Sequence, residues 1–148
     1  LRDAIRENLN SAKLEDLSAS LLKIQNDLFD LGGELAVTDK FLDVSKQQVV
    51  TNAEIERLER DMDTMNDHLP PLENFILPGG NNANSVAHLA RTVCRRAERR
   101  LVELSEHESV RSEARIYLNR LSDWLFVLCR EVNFRLGVPE VLWSQNKK

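Results

Sequence analysis

The chain has 148 residues, of which 42% are hydrophobic and 5% aromatic, and its formal net charge is -4. This length suits one domain with its own core, so we expect a single domain over residues 1–148. The negative net charge argues against a broad nucleic-acid surface, and no apolar run is long enough to cross a membrane. The low content of glycine (5) and proline (4) favours helices over a turn-rich sandwich.

Cys94 and Cys129 lie within helical patterns and share no metal-binding or redox spacing. We therefore expect reduced thiols in or near the core of an intracellular protein. No signal-peptide pattern begins at Leu1, so the cytoplasm is the expected location. None of the three histidines follows a glutamate three positions earlier, which disfavours a di-iron carboxylate bundle.

The first two helices are predicted from the spacing of apolar residues. Leu1, Ile5 and Leu9 share one face over residues 1–12, which indicates a short helix. A longer second helix is predicted by apolar residues in alternating steps of three and four: Leu14, Leu17, Leu21, Ile24, Leu28, Leu31 and Leu35.

The end of the second helix contains two adjacent glycines, Gly32 and Gly33. Because glycine weakens a helix, this pair suits either a close approach of another helix or fraying of the last turns. Residues 36–50 lose the helical period, so we expect a loop there.

The third helix has a clear start signal. Thr51 and Glu54 form a capping box, in which the Thr side chain accepts a backbone N–H while the Glu side chain reaches back. The helical rhythm then continues to a Pro-Pro pair that forbids further helix, through Ile55, Leu58, Met62, Met65 and Leu69. We expect the two methionines to fill the core.

The fourth helix is predicted to begin at a cap on Asn82 or Asn84 and to end near His107. At about 100° per residue, one narrow sector of this helix is polar, with Asn84, His88, Arg91, Arg95 and Glu98. The predicted core face lies opposite, with Val86, Leu89, Val93, Ala97 and Leu104.

The fifth helix is predicted to begin near a cap on Ser109 and to stop at Gly137. It also carries a polar stripe, with Asn119, Asp123 and Arg130, while its core side has Leu118, Leu121, Leu125 and Leu128. Residues 141–143 are expected to dock as a tail. Short links between long helices predict an all-α, antiparallel bundle of four long helices plus the short first one.

The arginines of the fourth helix could serve a ligand or only the fold. Arg91 and Arg95, one turn apart, can project two guanidinium forks into one pocket, and such forks suit the oxygens of a triphosphate. The alternatives are a solvated face or salt bridges with Glu98, Glu103 and Asp123. Nucleic-acid binding is disfavoured because no aromatic platform accompanies the arginines. A non-enzymatic helical-bundle interaction module would explain the helical rhythm equally well.

Three ordered motifs carry a family resemblance: Phe75-Ile76-Leu77-Pro78-Gly79-Gly80, Ala90-Arg91-Thr92-Val93-Cys94-Arg95-Arg96-Ala97-Glu98-Arg99, and Tyr117-Leu118-Asn119-Arg120-Leu121-Ser122-Asp123. In this order and at these separations they resemble the ATP:cob(I)alamin adenosyltransferase family, propanediol-utilisation type. Weaker similarity extends from Leu9 to about Asn133. The resemblance implies a five-helix, ferritin-like bundle and a homotrimer with active sites between subunits.

The resemblance also implies an activity. Such an enzyme transfers the 5′-deoxyadenosyl group of ATP to the cobalt of cob(I)alamin, giving adenosylcobalamin and triphosphate. The implied substrates are ATP, with Mg²⁺, and cobalamin, and no metal ligand is assigned to a protein side chain. A reductase and an adenosylcobalamin-dependent enzyme are the further partners implied, while no nucleic acid and no membrane are expected.

The family's functional positions map onto residues of this chain. By resemblance, the positions that bind ATP are Arg95, Arg96, Glu98, Arg99 and Asn119. Phe75 and Arg91 belong to the cobalamin side. The resemblance implies that Phe75 covers the lower face of the corrin, displaces the lower nitrogen ligand and leaves cobalt four-coordinate. Arg95 would stabilise the departing triphosphate.

Three other residues have supporting or unassigned roles. Asp123 is expected to orient an arginine rather than touch substrate. Glu7 stands where the family has an Asp that pairs with the arginine matching Arg91, so we expect Glu7 as its partner. His88 lies near the polar stripe, but a lone histidine is more often structural, and it receives no catalytic role.

One segment of the family has no counterpart in this sequence. Family members carry, upstream of the first helix, a phosphate-binding loop with a Thr-Gly-Asp-Lys-Gly core. Thr38-Asp39-Lys40 lacks the glycines and lies elsewhere in the chain. We expect that loop to precede Leu1, outside the given sequence.

Overall fold

The computed structural model describes residues 1–7, 11–37 and 48–144. In chain order its elements are α1 (Arg2–Arg6), a 3-10 turn (Ser11–Leu14), α2 (Glu15–Leu35), α3 (Asn52–Asn66), β1 (Ile76–Leu77), α4 (Asn82–Leu104), α5 (Ser112–Leu136) and β2 (Val141–Leu142). The predicted bundle of four long helices and a short first one is confirmed. Most of the expected loop after α2 lies outside the described residues.

α2 and α3 form as the apolar rhythm predicts. Leu17, Leu21, Ile24 and Leu31 of α2 are buried, whereas Leu28 and Leu35 of the same predicted series are 40% and 37% exposed. Gly32 and Gly33 face open space, so no helix among the described residues approaches them closely. In α3 the predicted capping box is present: the Thr51 hydroxyl accepts from the Ala53 N–H at 3.2 Å, and Glu54 Oε2 accepts from the Thr51 N–H at 2.9 Å. Met65 is buried and Met62 packs against the core, as expected.

α5 is the central helix, with buried residues on most of its sides. Its four predicted core leucines are all buried, and Gly137 ends the helix in a left-handed conformation (φ 67°) that suits glycine. The predicted cap on Ser109 is wrong, because Arg111 occupies the N-cap position and makes no side-chain cap bond. Its guanidinium instead donates to Glu34 Oε2 at 3.1 Å, which ties the start of α5 to the end of α2.

Contacts with α5 fix the directions of its neighbours. On α4, Asn84 Nδ2 donates to the Cys129 carbonyl at 2.8 Å, while Cys94 Sγ donates to the Leu118 carbonyl at 3.3 Å. Residue numbers therefore rise along one helix as they fall along the other, so α4 and α5 are antiparallel. Buried polar contacts also hold α2, because Tyr117 of α5 donates its hydroxyl to Asp27 Oδ2 at 2.7 Å.

The start of α4 differs from the prediction by one residue. Asn81, rather than Asn82 or Asn84, is the N-cap, and its Oδ1 accepts from the Asn84 N–H at 2.9 Å. Asn81 Nδ2 also donates to Asn133 Oδ1 at 2.7 Å, which joins the cap to the end of α5. The helix ends at Leu104, slightly before the predicted His107.

The core face of α4 is rotated by about a third of a turn from the predicted one. The predicted core residues Leu89, Val93 and Leu104 are 63%, 46% and 41% exposed. The residues that face α5 and are buried are instead Ala83, Asn84, Ala87, His88, Cys94 and Leu101. Small alanines allow close packing of two helices, so this less hydrophobic side makes the contact while the more hydrophobic side stays partly uncovered.

The tail after α5 docks on the segment before α4, as expected. β2 pairs antiparallel with β1, so that Ile76 lies opposite Leu142 and Leu77 opposite Val141. Gly80 has φ 103°, and a Cβ atom there would lie 2.7 Å from Val138 Cγ1. This position therefore favours glycine both by conformation and by space.

Arg130 does not belong to the polar stripe predicted on α5. Its side chain is buried, its Nε donates to Glu140 Oε1 at 2.8 Å, and its Nη2 donates to the Pro70 carbonyl at 2.7 Å. Both bonds hold connecting segments against α5, so the role of Arg130 is structural. The buried charge is stable there because it is paired and hydrogen-bonded.

Both cysteines are free and buried, as predicted. Burial raises the pKa of Cys94 to about 11 and that of Cys129 to about 12, so both thiols stay protonated at neutral pH. In the described ranges, the search for a helix long and apolar enough to span a bilayer finds none.

Candidate active site

Phe75 lies between α3 and α4, and its ring is held outside the core. The side chain is 75% exposed. Its ring contacts the Trp143 ring edge-on, with the two ring centroids 6.2 Å apart. The backbone N–H of Trp143 donates to the Phe75 carbonyl at 2.7 Å. Asn74 closes this arrangement, since its Nδ2 donates to the Trp143 carbonyl at 2.9 Å. The surrounding backbone thus fixes the position of an exposed aromatic ring.

A cavity of about 390 Å³ opens beside Phe75, between this segment, α4 and α5. Its apolar wall is formed by Leu72, Phe75, Ile76, Pro78, Leu89 and Phe126. Arg91 also lines it, with its guanidinium carbon 5.1 Å from the centroid of the Phe126 ring. This distance is typical of a cation–π contact, which holds the arginine at the cavity edge.

His88 is buried in the same cavity wall. Its Nε2 atom is inaccessible to solvent and has no hydrogen-bond partner among the described residues. Burial, together with the nearby charge of Arg91, lowers the pKa of His88. The imidazole is therefore neutral at physiological pH.

Glu98 joins α4 to α5 one to two turns further along. Arg95 Nη1 donates to its Oε2 atom, and Asn119 Nδ2 donates to its Oε1 atom at 2.8 Å. The Glu98 side chain is 13% exposed, whereas that of Arg95 is 47% exposed. Glu98 therefore orients both neighbours, while most N–H groups of the Arg95 guanidinium remain free for a ligand.

A second cavity, of about 370 Å³, lies beside this cluster and is lined in part by Glu98, Asn119 and Arg115. Glu98 follows Arg91 by seven residues, which places the two side chains on one face of α4, about 10 Å apart along its axis. The two cavities therefore open toward the same side of the α4–α5 pair.

The other predicted site residues differ in their surroundings. Arg96 and Arg99 are exposed, and neither makes an ion pair within the part of the chain that the structure describes. Asp123 does pair with an arginine, but with Arg120 of its own helix, whose Nη1 donates to Asp123 Oδ2 at 3.1 Å. Asp123 thus acts on α5 rather than on the arginines of α4.

Glu7 does not form the expected pair with Arg91. It is exposed at the end of α1 and makes no ion pair within the described residues. Residues at the start of α1 line a groove with Val86, Leu89 and other apolar residues of α4, whereas Arg91 faces Phe126 of α5.

Residues 3–132 match the family model described as cobalamin adenosyltransferase. The chain belongs to the cobalamin adenosyltransferase family. A cobalamin adenosyltransferase from Cupriavidus metallidurans is 47% identical over 134 residues, which cover 90% of this chain and 69% of that protein. A corrinoid adenosyltransferase from Bacillus subtilis is 41% identical over 143 residues, covering 97% of this chain and 72% of its own length.

Solved structures of the family share the bundle. A phenylalanine-to-alanine variant of a PduO-type ATP:corrinoid adenosyltransferase from Lactobacillus reuteri, complexed with cobalamin and ATP, gives a TM-score of 0.85 at 33% identity. The similarity covers 98% of this chain and 78% of that one. An arginine-to-lysine variant of the same enzyme, complexed with ATP, gives a TM-score of 0.83 at 33% identity. That similarity covers 92% of this chain and 75% of the other. The resemblance that the three motifs predicted is therefore confirmed.

The structure also brings two aromatic residues to the site that the sequence motifs did not indicate. Phe126 contacts Arg91, and Trp143 contacts Phe75. Phe126 follows Asn119 by seven residues, so helical spacing could have placed it on the same face of α5. The contact of Trp143 depends on the pairing of β2 with β1, which local spacing could not indicate.

The described residues contain no group of three or more His, Cys, Asp or Glu side chains that could hold a metal ion. Mg²⁺ is bound in many nucleotide sites mainly by phosphate oxygens and water, with one or two carboxylates. The residues present therefore do not fit a metal site formed by protein side chains alone.

Proposed function

We propose that the protein is an ATP:cob(I)alamin adenosyltransferase, which transfers the 5′-deoxyadenosyl group of ATP to cobalt and releases triphosphate. One observation carries this proposal in a chain of this family. Phe75 and Arg91, expected on the cobalamin side, line one cavity, and Glu98 and Asn119, expected on the ATP side, line a second cavity on the same face of the α4–α5 pair. A reaction between two bound substrates requires such neighbouring sites.

The reaction determines what the side chains must do. Cob(I)alamin supplies the electron pair of the new bond between cobalt and C5′, and the pair of the broken C5′–oxygen bond leaves with triphosphate. The nucleophile thus belongs to a substrate, so the protein contributes orientation and electrostatic stabilisation. No side chain has to transfer a proton in this step.

For the ATP side, we assign the phosphate contacts to Arg95, with Arg96 and Arg99 beside it. Glu98 holds Arg95 in place before any ligand arrives, which lowers the entropy lost on binding. The exposed guanidinium forks suit phosphate oxygens, and they would stabilise the charge that develops on triphosphate. Asn119 completes the cluster through its bond to Glu98.

For the corrin side, we assign Phe75 and Arg91. An exposed aromatic ring next to an apolar cavity offers a surface for a flat macrocycle. In this role Phe75 would occupy the lower face of cobalt and keep the lower nitrogen ligand away. Removal of an axial donor makes reduction of Co(II) to Co(I) easier, because the donor stabilises the higher oxidation state.

We infer that Mg²⁺ arrives with ATP, held by the phosphate oxygens rather than by a protein site. The arginine cluster and the ion would then share the neutralisation of the triphosphate. A cytoplasmic location, a partner reductase and a downstream adenosylcobalamin-dependent enzyme stay predictions.

We further propose a homotrimer with active sites between subunits. Both cavities are open to solvent in the single chain, and a neighbouring subunit would close them. Closure would exclude water from the reacting atoms and strengthen the electrostatic contacts there.

Anaerobic incubation with ATP, Mg²⁺ and chemically reduced cob(I)alamin tests the proposed function. We expect the corrin absorption spectrum to change to that of adenosylcobalamin, and triphosphate to appear in equal amount. ADP or phosphate as the product, or no corrin change at any protein concentration, would contradict it. The second of these results would favour the alternative of a bundle that only binds partners.

A further inference from the structure

His88 is a buried polar residue that the fold itself leaves unsatisfied. Its side chain is 6% exposed, and its Nε2 atom finds no partner among the described residues. A buried hydrogen-bonding group without a partner costs about 1–3 kcal/mol. A leucine or phenylalanine would avoid this cost in a wall that is already largely apolar.

Asn84, one turn earlier on α4, shows that the fold can satisfy a buried polar side chain here. Its Oδ1 accepts from the Gly79 N–H at 2.9 Å, and its Nδ2 donates to the Cys129 carbonyl at 2.8 Å. His88 has the same degree of burial but no equivalent contact. None of the described residues supplies the partner of His88, which leaves this position for a group from a ligand.

The surroundings define the chemistry of that missing partner. The cavity beside His88 is lined in part by Phe75 and Arg91, and its lining includes no carboxylate from the part of the chain that the structure describes. Burial and Arg91 keep the imidazole neutral, with one nitrogen as donor and the other as acceptor. An uncharged group that both donates and accepts, such as a carboxamide, fits these requirements.

The corrin ring of cobalamin carries carboxamide side chains around its edge. We propose that His88 binds one of these carboxamides and so sets the rotation of the corrin over Phe75, an inference that rests on the proposed function. A half-turn of the imidazole ring about the Cβ–Cγ bond exchanges the position of each ring nitrogen with that of a ring carbon. His88 can therefore present either edge of its ring to the cavity. His88 is then a binding and positioning residue, without a role in proton transfer.

Two substitutions and one control test this role. His88→Leu keeps much of the volume and removes both hydrogen-bonding atoms, whereas His88→Gln keeps a neutral donor and acceptor. His107→Leu is the control, because it makes the same change in an exposed histidine that lines neither cavity. Each protein is assayed for KM toward cob(I)alamin, KM toward ATP, and melting temperature.

We expect His88→Leu to raise the KM for cob(I)alamin about 3- to 10-fold, the loss of one neutral hydrogen bond, and to leave the KM for ATP unchanged. Its melting temperature should stay equal or rise, because an unsatisfied buried atom has been removed. His88→Gln should restore most of the corrinoid affinity, and His107→Leu should match the parent protein.

Three results would overturn the proposal: an unchanged KM for cob(I)alamin in His88→Leu, an equal rise in both KM values, or no recovery in a stably folded His88→Gln. A lower melting temperature with unchanged KM values would show a purely structural histidine. Failure of the parent protein to transfer the adenosyl group is a separate result, which refutes the proposed function before any variant is compared.

Discussion

Phe75 combines two properties that rarely occur together in a residue whose only role is packing. It is a large aromatic side chain with 75% exposure, yet its backbone is held by Trp143 and Asn74. An exposed ring contributes little to the core, because the apolar surface stays in water. The fixed position of the ring is therefore better explained by a ligand than by stability.

Phe75→Ala separates these two explanations. A buried phenylalanine costs about 3–5 kcal/mol when truncated, but this ring is mostly exposed, so the melting temperature should change little. If the ring displaces the lower ligand of cobalt, transfer that starts from cob(II)alamin with a reductant should fail first. Transfer from pre-reduced cob(I)alamin should survive better, because that species needs no help in losing its axial ligand.

The two assays and a melting curve on the same Phe75→Ala sample decide the matter. Equal losses in both assays, together with a large fall in melting temperature, would show that Phe75 is only a packing residue. Equal losses without such a fall would place Phe75 in substrate binding but not in control of the axial ligand.

Arg95→Ala tests the phosphate side of the site. Loss of one charge-assisted contact should cost about 1.5–3 kcal/mol in kcat/KM for ATP. Stability should change by less than about 1 kcal/mol, because the Arg95–Glu98 pair is partly exposed and alanine is a good helix former. Steady-state kinetics with ATP as the varied substrate measures the effect.

Arg100→Ala is the matched control for Arg95, since Arg100 pairs with Glu103 on the same helix and both side chains are well exposed. It should leave the kinetics unchanged. Equal kinetics for Arg95→Ala and the control would remove Arg95 from the site and leave it as a surface ion pair.

At the scale of single helices, the local cap of α4 supports the site because it fixes where the helix begins. Asn81 Oδ1 accepts a hydrogen bond from the Asn84 N–H, and Asn81 Nδ2 donates to Asn133 Oδ1 at the end of α5. Asn84 Oδ1 in turn accepts a hydrogen bond from the Gly79 N–H, in the segment between Phe75 and α4. These bonds connect the start of α4 to the loop that carries the aromatic ring.

Asn81→Ala should lower the free energy of unfolding by about 1–2 kcal/mol, through loss of the cap and of the bond to Asn133. Asn82→Ala, at the exposed first position of the helix, should change it by less than about 0.5 kcal/mol. Urea unfolding followed by circular dichroism measures both variants. A larger effect at Asn82 than at Asn81 would contradict the observed cap.

The helices differ in how well the sequence predicted them, for a physical reason. In α2 and α3 the long run of apolar residues in steps of three and four lies on the buried side, so periodicity identifies that face, although Leu22 and Phe29 are exposed on another side of α2. α4 has two candidate sides, and the side with Leu89 and Val93 is more hydrophobic than the side with Ala83 and Ala87 that packs on α5. Hydrophobicity indicates which residues prefer burial, but not which side its neighbour covers.

The candidate site shows the same division between local and long-range information. The motifs placed Arg95, Glu98 and Asn119 together, and the structure brings these three side chains into contact. Glu7 and Arg91 form no ion pair among the described residues of one chain, and a motif does not say which side of α4 the first helix covers. The role of Glu7 stays a prediction. Phe126 and Trp143 belong to long-range packing that only the whole fold determines.

At the scale of the whole molecule, the single chain leaves several large apolar side chains in water. Phe29, Leu89 and Phe134 are 82%, 63% and 50% exposed, and they lie on three different helices. Exposed apolar residues that occur singly need no explanation, but a distribution over several sides is expected for a subunit with more than one neighbour. Such a distribution supports the proposed homotrimer, in which each subunit would contact two others.

The predicted homotrimer can be tested by light scattering coupled to size-exclusion chromatography. We expect a mass three times that of the chain at micromolar concentration. If the active sites lie between subunits, dilution into the range where the trimer dissociates should lower the activity per chain. Adding Arg95→Ala protein to the diluted sample should not restore the activity per chain to its value before dilution. Because closure of the cavities depends on a neighbour, mass and activity should fall over the same range of concentration. A monomer that keeps full activity per chain would exclude both the trimer and the shared site.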